Sequence, residues 1–250
     1  MNKIRIFALV KMELKKIIRE PAYLFLMLLF PAALTLIFAL TFSSIPSMTP
    51  GASTFEYMAP GLFAYACIFI IMIVAQTFSD DREQGLLKRI NTTPTTSSEF
   101  MSSHIISNTI LVLVQVVIVA ILAFIMGFRP QGGILGLLMA TLFMVFLAIC
   151  SVGFGLITAT VAKSSSSATG LSFIFILPQM FFGTFIPLND ATRMIAMLFP
   201  SYYATNSLEM IFNGVALMDL RIWFNLMIIT LISIIIVLIG IILFKKYGRS

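Results

Sequence analysis

Six times between Tyr23 and Phe244 the sequence enters a long apolar run containing no Asp, Glu, Lys or Arg. The runs are Tyr23–Phe42, Pro60–Phe78, Ile105–Met126, Ile134–Val161, Leu171–Ile186 and Trp223–Phe244. A hydrocarbon layer roughly 30 Å thick takes about 20 helical residues to cross, so each run reads as a membrane span. Backbone polar groups in lipid must bond within their own segment, which makes these spans helices. Only 10% of the residues are charged, against about 25% in a soluble domain. Residues 1–250 therefore read as one all-α integral membrane domain.

The chain opens on Lys3–Glu20. On a helical wheel Ile6, Phe7, Val10, Leu14, Ile17 and Ile18 share one arc, and Arg5, Lys11, Lys15, Lys16 and Arg19 fill much of the rest. That pattern predicts an amphipathic helix lying in the headgroup layer of the lipid, ahead of a bend at Pro21. Its apolar sequel is too long for a signal peptide and reads as a retained first span. Pro31 and Pro178 are expected to kink the first and fifth spans.

Thirteen of the 16 Lys and Arg residues fall on one side if the N-terminus is inside, leaving Arg129, Arg193 and Arg221 outside. The bias predicts cytoplasmic termini in a plasma (inner) membrane. It also explains the net charge of +6 without nucleic acid as a partner. Cys67 and Cys150 lie within apolar runs and read as inert packing residues. The series Gly132/Gly136/Ala140 and Ser151/Gly155/Ala159 allow close helix approach and are expected to serve packing within the chain.

Three stretches stand outside the spans. Ser79–Pro94, SDDREQGLLKRINTTP, is a polar cytoplasmic hairpin, with a short helix expected from Arg82 to Ile90. Residues 187–221 predict two short re-entrant helices before the last span, around Leu188–Phe199 and Ser201–Val215. Glu209 is the one acidic residue of the second and is a candidate for an outer gate. Met180, Phe181 and Phe182, next to Pro178, with Tyr202, suggest a path for an apolar or amphipathic cargo. His104, the only histidine, reads as a surface residue at the mouth of the third span. No metal or catalytic motif appears, and neither an intramembrane enzyme nor an ion-gradient-driven transporter or channel finds the ionisable groups it needs inside the spans. The gradient-driven reading is the alternative to the one below.

The run Arg82-Glu83-Gln84-Gly85-Leu86-Leu87-Lys88-Arg89, followed by Thr93-Pro94, resembles the loop between spans two and three of type-2 ATP-binding-cassette (ABC) exporter permeases. Arg19-Glu20-Pro21 at the end of the amphipathic helix, six spans, and Gly183-Thr184-Phe185-Ile186-Pro187 followed by Leu198-Phe199-Pro200-Ser201-Tyr202-Tyr203 agree with that family. One departure is Asp80-Asp81 before Arg82, where an acidic residue and a single Glu-Arg-Glu pattern is more usual in the family. The resemblance implies that residues 79–94 form a coupling loop, in which Asp81, Arg82, Glu83, Gly85, Leu86, Lys88 and Arg89 meet a separate nucleotide-binding ATPase subunit. It implies a connecting helix at 3–20 carrying Lys11, Lys15 and Arg19, and a second permease copy or paralogue. ATP and Mg would sit on the partner, since the chain has no G-x-x-x-x-G-K-[ST] segment to cradle phosphates. The chain itself is then a permease subunit and not an enzyme.

Overall fold

The computed structural model describes residues 3–45, 53–86, 92–93, 95–185 and 189–247. Lys88 and Arg89, Pro94 and residues 186–188 lie outside that set, so the second half of the expected loop helix does too.

Every regular element among the described residues is helical. α1 spans Lys3–Arg19, α2 Pro21–Phe42, α3 Thr54–Glu83, α4 Ser97–Ile125 and α5 Gly133–Val161. α6, Ser165–Met180, passes into a π-helical turn at Phe181–Phe185, and α7 (Asp190–Ala196), α8 (Pro200–Phe212) and α9 (Leu220–Tyr247) complete the order. Five helices are long and apolar enough to cross a bilayer, namely α3, α4, α5, α6 with its π turn, and α9. α2 adds a shorter apolar stretch, Met27–Phe42.

Two spans begin earlier than hydropathy places them, because capping rather than apolarity starts a helix. Ser53 accepts from the Glu56 N–H at 3.2 Å while its own N–H donates to the Glu56 carboxylate at 2.9 Å. Thr96 and Glu99 repeat that exchange at 3.3 and 3.0 Å. Each reciprocal pair satisfies two backbone donors that would otherwise be orphaned. The polar turns after Thr54 and Ser97 are thereby part of α3 and α4.

α3 is the axis of the bundle. It is apolar all round and buried along nearly its whole length, as a helix surrounded by others must be. α2, α4, α5, α6 and α8 all pack against it. α9 lies outside, with Leu231, Ile235, Leu238 and Ile242 exposed.

Both small-residue series work inside the chain, as expected. A Cβ on Gly155 would meet the Ile71 carbonyl oxygen at 2.8 Å, and one on Gly132 the Ile211 carbonyl at 2.5 Å. They let α5 close on α3 along one face and on α8 along another. Cys67 and Cys150 are buried free thiols.

The ends of the bundle differ. At one end sit α1, the last turn of α3, the first turns of α4 and α6, and the last turns of α5 and α9. Here Phe244 of α9 lies edge-on to Phe78 of α3 at 5.5 Å, so the described N- and C-terminal segments share the end from which the 84–96 loop leaves. α7, α8 and the π turn cover the other end. There the Asn225 amide of α9 donates to Asn206 and Ser207 of α8, both at 3.0 Å.

Candidate functional site

The loop end concentrates charged and polar side chains. The expectation of a separate helix from Arg82 to Ile90 needs correction at its start: α3 continues without a break through Asp80, Asp81 and Arg82 to Glu83. Gly85, at φ +74°, stops it. The Gly85 N–H returns to the Arg82 carbonyl at 3.1 Å and the Gln84 N–H to Asp80 at 2.9 Å. A glycine in the left-handed region just past the cap is the common way to end a helix, because the absent Cβ removes the steric cost. Leu86 follows it, partly buried.

Three consecutive side chains before that stop bind three different parts of the bundle. Asp81 turns inward, is almost fully buried and receives the Lys16 ammonium of α1 on Oδ1. Arg82 donates to the Ala162 carbonyl and, at 3.4 Å, to that of Thr160. These are carbonyls at the C-terminus of α5, where a cation is favoured by the helix dipole. The Glu83 carboxylate accepts from the Ser165 N–H at 2.6 Å. That donor lies in the first turn of α6, where an anion is favoured for the same reason. The last turn of α3 thus grips α1, the end of α5 and the start of α6 together.

α1 is rotated from its wheel reading. Val10 and Glu13 are its buried residues, Ile6, Leu9, Leu14, Lys16 and Ile17 are half-buried, and Phe7 and Ile18 lie exposed beside Ile4. Lys11, Lys15 and Arg19 are exposed. Lys15 and Arg19 line an open groove of about 400 Å³ with Met12, Lys16 and Glu20. At the helix N-terminal half Arg5 lies 4.0 Å from Glu99 of α4.

His104 also departs from its reading as a surface residue. It is 2% exposed, with the rings of Phe78 and Phe100 edge-on at 5.1 and 4.5 Å. Its Nε2 lies 3.3 Å from Glu13 Oε1, yet neither atom has a hydrogen-bond partner, nor does Asp81 Oδ2. Burial pushes the Glu13 carboxyl up to about 7; Lys16 opposes the rise and Glu20 adds to it. Sequence reasoning missed this group, although one signal was present. Glu13 is an acidic residue lying on the arc of Ile6, Val10 and Ile17, in a helix otherwise basic outside that arc.

The Lys16–Asp81 pair makes a direct prediction. A buried carboxylate stripped of its cation costs about 3 kcal/mol or more, whereas replacing both members with apolar groups is close to neutral. Lys16→Met is expected to destabilise the docked α1 by that amount, and Lys15→Met, on the exposed face, by under about 0.5 kcal/mol. The double variant Lys16→Met/Asp81→Leu should recover most of the loss. Thermal unfolding and protease release of α1 in detergent micelles measure all three.

The residues read as a cargo path gather only in part. Met180, at the end of α6, packs on the core, and Phe182 stacks on Phe199 at 6.4 Å. Tyr202 is buried and its hydroxyl accepts from Arg193 at 3.2 Å. Phe181 faces outward, and Glu209 stands about two turns along α8 from Tyr202, its carboxyl raised by burial. These residues border the junction of the π turn with α8 rather than one shared cavity.

Long apolar helices packed side by side, with charge gathered at the ends of the bundle, define a multi-pass membrane protein. The chain belongs to the ABC-2 type transporter family, which it matches over residues 4–213. That makes it the transmembrane component of an ABC transporter. The daunorubicin resistance ABC transporter permease protein DrrB1 of Streptomyces coeruleorubidus is 24% identical over 149 residues, covering 58% of this chain and 53% of that protein. The chain therefore spans about half the length of the curated relative it matches.

Proposed function

We propose that this chain is the membrane subunit of an exporter driven by ATP hydrolysis on a separate nucleotide-binding subunit. Two copies, or one copy and a paralogue, would enclose the path, and the 84–96 loop would dock on the ATPase. One observation carries the reading: the last turn of α3 holds α1, the α5 C-terminus and the α6 N-terminus through Asp81, Arg82 and Glu83. A push on the loop would reach three other helices through side chains already bonded to them. Rigid transmission of this kind is what a permease worked by an external motor needs.

In this reading Asp81, Arg82 and Glu83 are the inner half of the coupling element, and Gly85, Leu86, Lys88 and Arg89 its outward half. α1 lies in the inner headgroup layer with Ile4, Phe7 and Ile18 in the acyl boundary and Lys11, Lys15 and Arg19 toward anionic lipid. α2 is the first of six spans, both termini are cytoplasmic, and α7 and α8 re-enter the outer leaflet. ATP and Mg belong to the partner. A relative named for daunorubicin resistance, and the Phe182, Phe199 and Tyr202 surfaces, support a small apolar or amphipathic cargo.

Co-expression with the cognate ATPase subunit and reconstitution into liposomes tests the reading. Hydrolysis should rise on assembly and rise further with one class of cargo from a panel of drugs, lipids, peptides and sugars. Cargo movement that follows an imposed ion gradient and ignores ATP would sink it.

A further inference from the structure

Glu13, Asp81 and His104 come from three helices, α1, α3 and α4, and each is buried. One ligand atom from each lies within 4.8 Å of the other two. Each of the three residues also has one buried atom without a hydrogen bond: Glu13 Oε1, Asp81 Oδ2 and His104 Nε2. Unsatisfied polar atoms cost most where water is absent, and here two aromatic rings wall the histidine. Converging carboxylate and imidazole atoms with a dry wall behind them are a place where a cation would satisfy what the 3.3 Å His104–Glu13 contact leaves unmet.

We propose that Glu13, Asp81 and His104 form a divalent-cation site, with zinc as the ion its two carboxylates and one imidazole fit best. Imidazole nitrogen and carboxylate oxygen bind zinc at about 2.0–2.2 Å, and three protein ligands leave one position open. Closing the set from its present separation takes rotamer changes at Glu13, in the interior of α1, and at Asp81, in the last turn of α3. Lys16 is the competitor. Its ammonium neutralises Asp81 through the other oxygen, Oδ1, and its side chain borders the open groove of α1, so it has a way out to water. A bound ion would tie α1 to α3 and α4 at one point, one helical turn before the loop. The site rests on these side chains alone and stands apart from the exporter reading.

Full-length protein in detergent micelles, free of any histidine tag and stripped with chelator, is titrated with zinc alone by calorimetry. The optical spectrum of cobalt used in its place reports the ligand set. One saturable equivalent per chain is expected, with a rise in unfolding temperature. His104→Gln and Asp81→Asn should each weaken binding at least about tenfold, since metal affinity falls steeply with each ligand removed. In Lys16→Met, where Asp81 has lost its ammonium, zinc should restore most of the lost unfolding temperature. The proposal is overturned if wild-type protein shows no saturable binding, if His104→Gln binds as wild type does, or if zinc leaves the unfolding temperature of Lys16→Met unchanged.

Discussion

Gly85→Val is expected to leave the helical bundle folded and to disconnect it from ATP hydrolysis. In the assembled complex, cargo-stimulated ATPase activity and export should fall at least about tenfold, within the roughly hundredfold loss that an ångström's misplacement far from the chemistry can cause. Space is not the obstacle. A Cβ at Gly85 meets nothing within 4 Å, so the substitution collides with no neighbour. What it changes is the backbone. At φ +74° an L residue costs about 1–2 kcal/mol, and a β-branched one is a true outlier. Valine escapes that cost by adopting the right-handed helical region, and α3 then continues past Gln84. Each added helical residue turns the outgoing chain by about 100°, so Leu86 and the loop leave on another bearing. Asparagine tolerates the left-handed region, and Gly85→Asn should keep most of the coupling. Normal coupling in Gly85→Val would show that the direction in which the loop leaves α3 carries no information to the ATPase. Retained thermal stability, measured beside it, separates a misaimed loop from a broken fold.

The features of this chain differ in how far residues alone disclose them. Apolar runs announce α2 to α6 and α9 because lipid filters sequence so strongly: a single charge inside a span would have been visible. Helix ends were less legible. Ser53–Glu56 and Thr96–Glu99 are short polar signals in stretches where hydropathy has already stopped counting, and they add a turn or more to α3 and α4. The loop-end cluster was the hardest. Its hydrogen-bonded partners on different helices are separated by 65 to 82 residues in sequence, as for Lys16 with Asp81 and Glu83 with Ser165. No periodicity links residues on different helices. Asp81, Arg82 and Glu83 drew notice as loop residues able to reach a partner, and the structure shows them bonded within the chain first. His104 looked solitary for the same reason: Glu13 and Asp81 are its neighbours only after α1 folds back along α4. Gly85 stood out within the loop, but that it would take a positive φ and stop α3 could not be read from a run whose helix boundaries were unknown.

At the opposite end the contact to test is between Gly183 and Ser201. A Cβ on Gly183 would lie 1.9 Å from Ser201 Oγ, 2.7 Å from Ser201 Cβ and 3.2 Å from the Tyr202 nitrogen. Rotating the hydroxyl away relieves the first clash and leaves the second, since a Cβ moves only with its backbone. The π turn would therefore have to withdraw from the first turn of α8. It would also pull Gln179 away from Ser201, whose hydroxyl donates to the Gln179 carbonyl at 3.2 Å just after Pro178 has removed one backbone donor. Overfilling a close contact costs about 1–3 kcal/mol, and the lost hydrogen bond adds about 1 kcal/mol. Gly183→Ala is accordingly expected to lower stability by about 3 kcal/mol and to depress export further by displacing Phe182 and Tyr202. Ser201→Gly removes both offending atoms and should cost only about 1 kcal/mol on its own. The pair Gly183→Ala/Ser201→Gly should then be more stable than Gly183→Ala alone by about 2 kcal/mol, a coupling of about 3 kcal/mol in a double-mutant cycle of unfolding in micelles. Simple additivity would mean that the π turn and α8 do not approach this closely. If stability returns in the pair while export does not, the Ser201 hydroxyl holds the π turn in the shape the cargo path requires, and the junction acts as more than a packing contact.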